Sequence, residues 1–117
     1  MFKVQKMYSK LFVTVDTYKE AVAMAREAAK IHAEDTYIIS EEKNGRWYRR
    51  DIIGHTYEVI PRSTGYEIRK KNGNKWLYLI KVYNGEYTWG SDYTYSKIYT
   101  TFKAAQDSMV LIESRRA

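Results

Sequence analysis

The chain has 117 residues, no cysteine and a formal net charge of +6 at neutral pH. Its length fits one domain, residues 1–117, with a core that needs neither disulfide nor metal. The lack of cysteine excludes disulfides, thiolate chemistry and cysteine-ligated zinc, and it suits a reducing compartment.

No apolar run approaches the length of a membrane span, and the apolar stretch within MFKVQKMYSKLFVTV is too short for a signal peptide. A soluble cytoplasmic protein without membrane contact is the expectation. Twelve tyrosines and three tryptophans favour strands. The charge is uneven. Residues 1–42 carry six basic and seven acidic side chains, residues 43–75 nine and three, and residues 76–117 five and four. The excess falls on the middle third. A local positive field attracts polyanions or acidic protein surfaces, and it also serves simply as a solvated face.

In chain order, residues 2–8 alternate weakly, and Leu11, Val13 and Val15 share one face of a second extended segment. Thr17-x-x-Glu20 then reads as a capping box, opening a helix over about 17–33. Its apolar stripe is Tyr18, Ala21, Val22, Ala25, Ala28, Ala29 and His32, small enough to lie close to a sheet. A strand at 36–41 returns through Asn44-Gly45 as 46–53, with Lys43 opposite Arg46 and Glu41 opposite Tyr48. Asn-Gly is the strongest short-range hairpin signal, because a type I′ turn needs positive φ at both central residues. This hairpin lacks a clean apolar face.

After Gly54 comes a strand at 55–60, with a turn over Pro61–Gly65. The next hairpin joins 66–71 to 75–83. A two-residue turn there puts Tyr66, Ile68, Leu77 and Leu79 on one face, and a three-residue turn reverses it. Asn84-Gly85 closes the last hairpin, setting Val82 opposite Tyr87 and Ile80 opposite Trp89. Trp76, Tyr78, Ile80, Val82, Tyr87 and Trp89 then form the expected main core face. A final strand over 93–99 leads into a helix over about 101–114, with Phe102, Ala105, Met109 and Ile112 as its stripe, and Glu113–Ala117 as a fraying tail. The fold class is therefore α+β: an antiparallel sheet of about six to eight strands built from Asn-Gly hairpins, packed by two helices. The starts of the two helices echo each other as Thr-aromatic-Lys-x-Ala, which is read as convergence on one capping solution in preference to two copies of a strand-pair-plus-helix unit.

Catalytic patterns are missing. No glycine-rich phosphate loop and no nucleophile elbow occurs. His32-Ala33-Glu34 has the H-x-E spacing of zinc deaminases without their cysteines, and His32 reads as a core or boundary residue. His55 reads as a polar edge residue. Glu58 and Glu67 flank a turn, but Arg62, Arg69 and Lys70 favour ion pairing over acid–base work. Neither an enzyme nor a cofactor or metal is expected.

The binding candidate is Lys43, Arg46, Trp47, Tyr48, Arg49 and Arg50, extended by Arg69, Lys70, Lys71 and Lys75 around the next turn. Cations contact phosphates and flat aromatics stack on unpaired bases. Alternation places Arg46, Tyr48 and Arg50 on one face and Trp47 and Arg49 on the other, so the expectation is that Trp47 packs while Arg-Tyr-Arg is presented. The reading is a small basic protein that binds nucleic acid or another polyanion. The alternative is a protein-interaction module, an inhibitor or adaptor of phage or mobile-element type, docking on an acidic or nucleic-acid-binding surface of a host protein. Tyr, Trp and Arg serve such hot spots equally well. A homodimer through a strand edge or through the second helix is a further expectation.

Overall fold

The structure, a computed structural model, describes residues 1–115. It contains eight antiparallel strands and two α-helices, an α+β fold. The chain groups into two compact units, Met1–His55 and Thr56–Ala117.

The first unit runs β1 (Phe2–Lys6), β2 (Phe12–Val15), α1 (Tyr18–Ile31), β3 (Tyr37–Lys43) and β4 (Arg46–Ile53). Its strands lie in the order β2-β1-β3-β4. β1 therefore pairs with its hairpin partner β2 on one side and, across the length of α1, with β3 on the other, with Phe2 opposite both Val15 and Glu41. Thr17 caps α1 by accepting the Glu20 amide at 3.1 Å. The buried stripe is Ala21, Ala25 and Ala29, packed on Val4, Tyr37, Ile39 and Ile53. Alanine lets the helix approach the sheet closely. His32 departs from expectation: it is the exposed residue that ends the helix, its amide bonded to the Ala28 carbonyl at 2.9 Å. Leu11 and Val13 are 82% and 53% exposed.

The Asn44-Gly45 turn has φ of 54° and 78°, the type I′ signature. Lys43 pairs with Arg46 and Glu41 with Tyr48, in the expected register. Nearer the core a bulge intervenes. Ile39 pairs with Asp51 and Ser40 with Arg49, so Arg50 is the extra residue. Arg50 and Asp51 consequently share the α1 side. There Asp51, fully buried, accepts from Tyr18 Oη at 2.5 Å and from Arg50 Nε at 3.0 Å.

The second unit is a meander: β5 (Tyr57–Arg62), β6 (Gly65–Asn72), β7 (Lys75–Tyr83) and β8 (Glu86–Gly90), each paired with the next. Pro61 and Arg62 belong to β5, so the turn is shorter than expected. Asn72 pairs with Lys75, which is the two-residue register. The core is Tyr57, Val59, Ile68 and Leu79 under Phe102, Ala105, Met109 and Ile112 of α2 (Phe102–Ser114). The expected core face of Trp76, Tyr78, Ile80, Val82, Tyr87 and Trp89 is not formed. A bulge leaves Ile80 unpaired, so Trp89 faces Leu79 instead. One extra residue reverses strand parity. Trp89 accordingly packs beside Tyr57, with ring centroids 5.8 Å apart, while Trp76 stacks with Arg69, which pairs with Glu58 on the opposite side of the sheet.

Residues 93–99 do not form the expected strand. Tyr93–Tyr95 is a 3-10 turn; Lys97 donates its amide to the Leu79 carbonyl at 2.7 Å, and Tyr99 forms an isolated bridge, exchanging 2.8 Å hydrogen bonds with Tyr66. Gly65 permits this approach, because a Cβ there would run into the Tyr99 carbonyl oxygen and sit 2.8 Å from Ile98 Cγ2. Nor does the tail fray at Glu113. Glu113 and Ser114 are helical, and Arg115 donates to the Gly85 carbonyl at 2.8 Å; Arg116 and Ala117 lie outside the described residues.

Candidate nucleic-acid interface

In the first unit, side chains alternate across the sheet. Val4, Ile39 and Ile53 point to α1, so Lys3, Gln5, Ser40, Trp47 and Arg49 occupy the helix-free face. The pairing is direct: Lys3 lies opposite Ser40, and Ser40 opposite Arg49, forming one row across three strands. Gln5 lies opposite Phe12 on one side and Ile38 on the other. Lys3 Nζ is 5.0 Å from the Trp47 ring centroid and 5.1 Å from that of Phe12. A cation held between two ring faces gains about 0.5–1 kcal/mol from each at exposed sites.

The Met7–Ser9 segment borders the same face. Tyr8, at φ 66°, turns the chain, and Gln5 Nε2 donates to the Ser9 carbonyl. Together these residues enclose a cavity of about 280 Å³, whose lining includes Lys3, Lys6, Trp47 and Arg49 and no carboxylate. Lys6 also reaches Asp35 at 3.4 Å. Such a surface can neutralise phosphate oxygens while offering a ring to an unpaired base.

The expected site residues divide. Trp47 and Arg49 are on this open face, reversing the expected roles of the two faces of the hairpin. Arg46 and Tyr48 are exposed on the other side. Arg50 is engaged there: it bonds Glu41 at 3.3 Å and Asp51 at 3.0 Å, and its guanidinium carbon lies 4.0 Å from the Tyr18 ring centroid. Lys43 sits 3.7 Å from Glu41. Lys3, Gln5, Phe12 and Ser40 were not candidates from sequence. Their membership depends on β1 pairing with β3, a contact that local pattern does not encode.

In the second unit, Arg69 is bound to buried Glu58 through Nε at 3.2 Å and Nη2 at 2.8 Å, and it covers the Trp76 ring at 4.0 Å. Lys70 lies 4.5 Å from the Trp89 centroid, Lys71 6.0 Å from that of Trp76, and Lys75 is exposed at the turn. Glu67 is buried beside Arg62, whose Nε contacts Oε1, yet neither carboxylate oxygen is in hydrogen-bond geometry. Burial pushes the Glu67 carboxyl up, against the opposing pull of Arg62. Both arginine–carboxylate pairs follow the ion-pairing expectation for Glu58 and Glu67.

Elsewhere, His32, Glu34 and Asp35 hold one ligand atom each within 4.8 Å of one another, with Asp35 shared by Lys6. His55 is exposed. No helix among the described residues is long and apolar enough to cross a membrane. Comparison with protein-family models, curated proteins and solved structures finds no match to this chain.

Proposed function

We propose that the chain is a non-enzymatic nucleic-acid-binding protein whose contact surface is the helix-free face of the Met1–His55 unit. The observation that carries this reading is the Lys3–Ser40–Arg49 row, with the Trp47 and Phe12 rings on either side of Lys3. Lys3 and Arg49 neutralise neighbouring phosphates, and Trp47 takes an unpaired base on its face. An open sheet surface with stacking rings suits a single strand better than a duplex, whose bases are already stacked.

The test is fluorescence anisotropy with labelled single-stranded and duplex oligonucleotides over a range of salt. Each phosphate neutralised on a single strand contributes about −0.7 to the slope of log affinity against log salt, so two to three contacts give roughly −1.4 to −2. Lys3→Glu with Arg49→Glu abolishes binding in low salt. Unchanged affinity in that double variant overturns the assignment. A protein that stays bound to the tagged chain after nuclease treatment, with no nucleic acid recovered, replaces it with the interaction-module reading.

A further inference from the structure

We propose that the open edge of β2 pairs with β2 of a second copy of this chain, about a twofold axis through Val13. The inference goes beyond nucleic-acid binding and does not depend on it. β2 is the outermost strand of its unit, with β1 on one side only. An edge strand left open is usually protected by a lysine or proline within it, by a bulge, or by covering structure. Phe12–Val15 is protected only by its four-residue length: it has no lysine or proline, its register with β1 is regular, and Leu11, Phe12 and Val13 are 82%, 53% and 53% exposed.

The flanking residues specify the partner. A twofold axis normal to the sheet keeps each face on its own side, and directly opposed residues in an antiparallel pair share a face. The axis must therefore pass through a residue. With Val13 on the axis, Phe12 meets Thr14, Leu11 meets Val15 and Lys10 meets Asp16 of the second copy. The two charges bracketing the strand thus neutralise each other twice in one dimer. Both are exposed in the single chain. The pattern Lys-Leu-Phe-Val-Thr-Val-Asp is complementary to itself in this register. Leu11 and Val13 also line an apolar groove of about 250 Å³ with Met24 and Tyr37 on the α1 side. The added strand covers the open side of that groove with apolar residues.

The test uses the purified, nuclease-treated full chain in sedimentation velocity from about 1 µM to about 1 mM. The wild-type chain is expected to pass from monomer to dimer over that range. Val13→Lys sets two lysines against each other on the axis, and it should remain monomeric with an unchanged circular dichroism spectrum. Should that variant fail to fold, Lys10→Asp and Lys10→Asp/Asp16→Lys decide the matter at exposed positions. The single exchange replaces two attractive pairs with two repulsive ones and weakens dimerisation about tenfold, and the double exchange restores it. A wild-type chain that stays monomeric throughout, a folded Val13→Lys that dimerises like wild type, or a double exchange without recovery overturns the proposal.

Discussion

The two units are made of similar parts and use their charge in opposite ways. Each has four antiparallel strands and a helix capped by threonine. Each helix places an aromatic ring three residues beyond a bridging residue and against that residue's partner. Tyr18 packs on Phe2, which pairs with Val15; Phe102 packs on Tyr66, which pairs with Tyr99; both ring pairs are 5.7 Å apart. The order of elements nevertheless differs, with the helix inside the sheet sequence in one unit and after it in the other, so the likeness is local. On the side away from the helix, the second unit sets its arginines on its own carboxylates, Arg69 on Glu58 and Arg62 on Glu67, with Lys71 against the Trp76 ring. The first unit sets Lys3 between two rings. Density of positive charge along a sequence is therefore a poor guide to charge available for a partner; local pairing decides it.

That contrast can be broken most sharply at Arg69. Removing it takes a two-point guanidinium contact from the buried Glu58 carboxylate, so Arg69→Ala should lower stability by about 3–5 kcal/mol in urea unfolding. Lys3→Ala, by contrast, should change stability by no more than about 2 kcal/mol, the worth of two exposed cation–π contacts, while weakening oligonucleotide binding. Equal stability losses at the two positions would erase the distinction between the units. Gly65→Ala comes next, at about 2 kcal/mol, because the added methyl displaces the backbone at Tyr99.

The parallel between the helices predicts similar losses of about 1 kcal/mol for Thr17→Ala and Thr101→Ala, each cap accepting an amide at 3.1 Å. Thermal unfolding of both variants measures whether the caps are equivalent. The smallest effect is at Glu67. Its carboxyl is raised in the folded chain, so its stabilising contribution is complete below the unfolded value and is lost as pH rises through the folded one. Glu67→Gln should then be more stable than wild type at neutral pH, with the gap closing on acidification. A gap that widens in acid would mean that Arg62 outweighs burial.

Much of the fold was legible wherever neighbouring residues determine it. Both helix starts, the buried stripe of α2, the Asn-Gly turns and the Lys43–Arg46 register depend on contacts within a few residues. The failures have a common cause. Bulges at Arg50 and Ile80 shift parity without any glycine or proline to announce them, which moved Asp51 beside Arg50 and Trp89 to the opposite face from that expected. Tyr93–Tyr99 has strand composition, but Asp92 caps a 3-10 turn by accepting the Thr94 amide at 2.9 Å. In the candidate site, Trp47 and Arg49 could be read from the hairpin itself. Lys3 could not, because its neighbours there belong to strands beyond α1.

The pairing of Phe2 with Glu41 has a kinetic consequence. Hairpins such as β5–β6 and β7–β8 close short loops, whereas β1 and β3 meet across a loop containing all of α1, a closure of higher entropic cost. Lys3, Ser40 and Arg49 come into line at that step and no sooner. The row of Lys3, Ser40 and Arg49 thus depends on the closure of the sheet around α1.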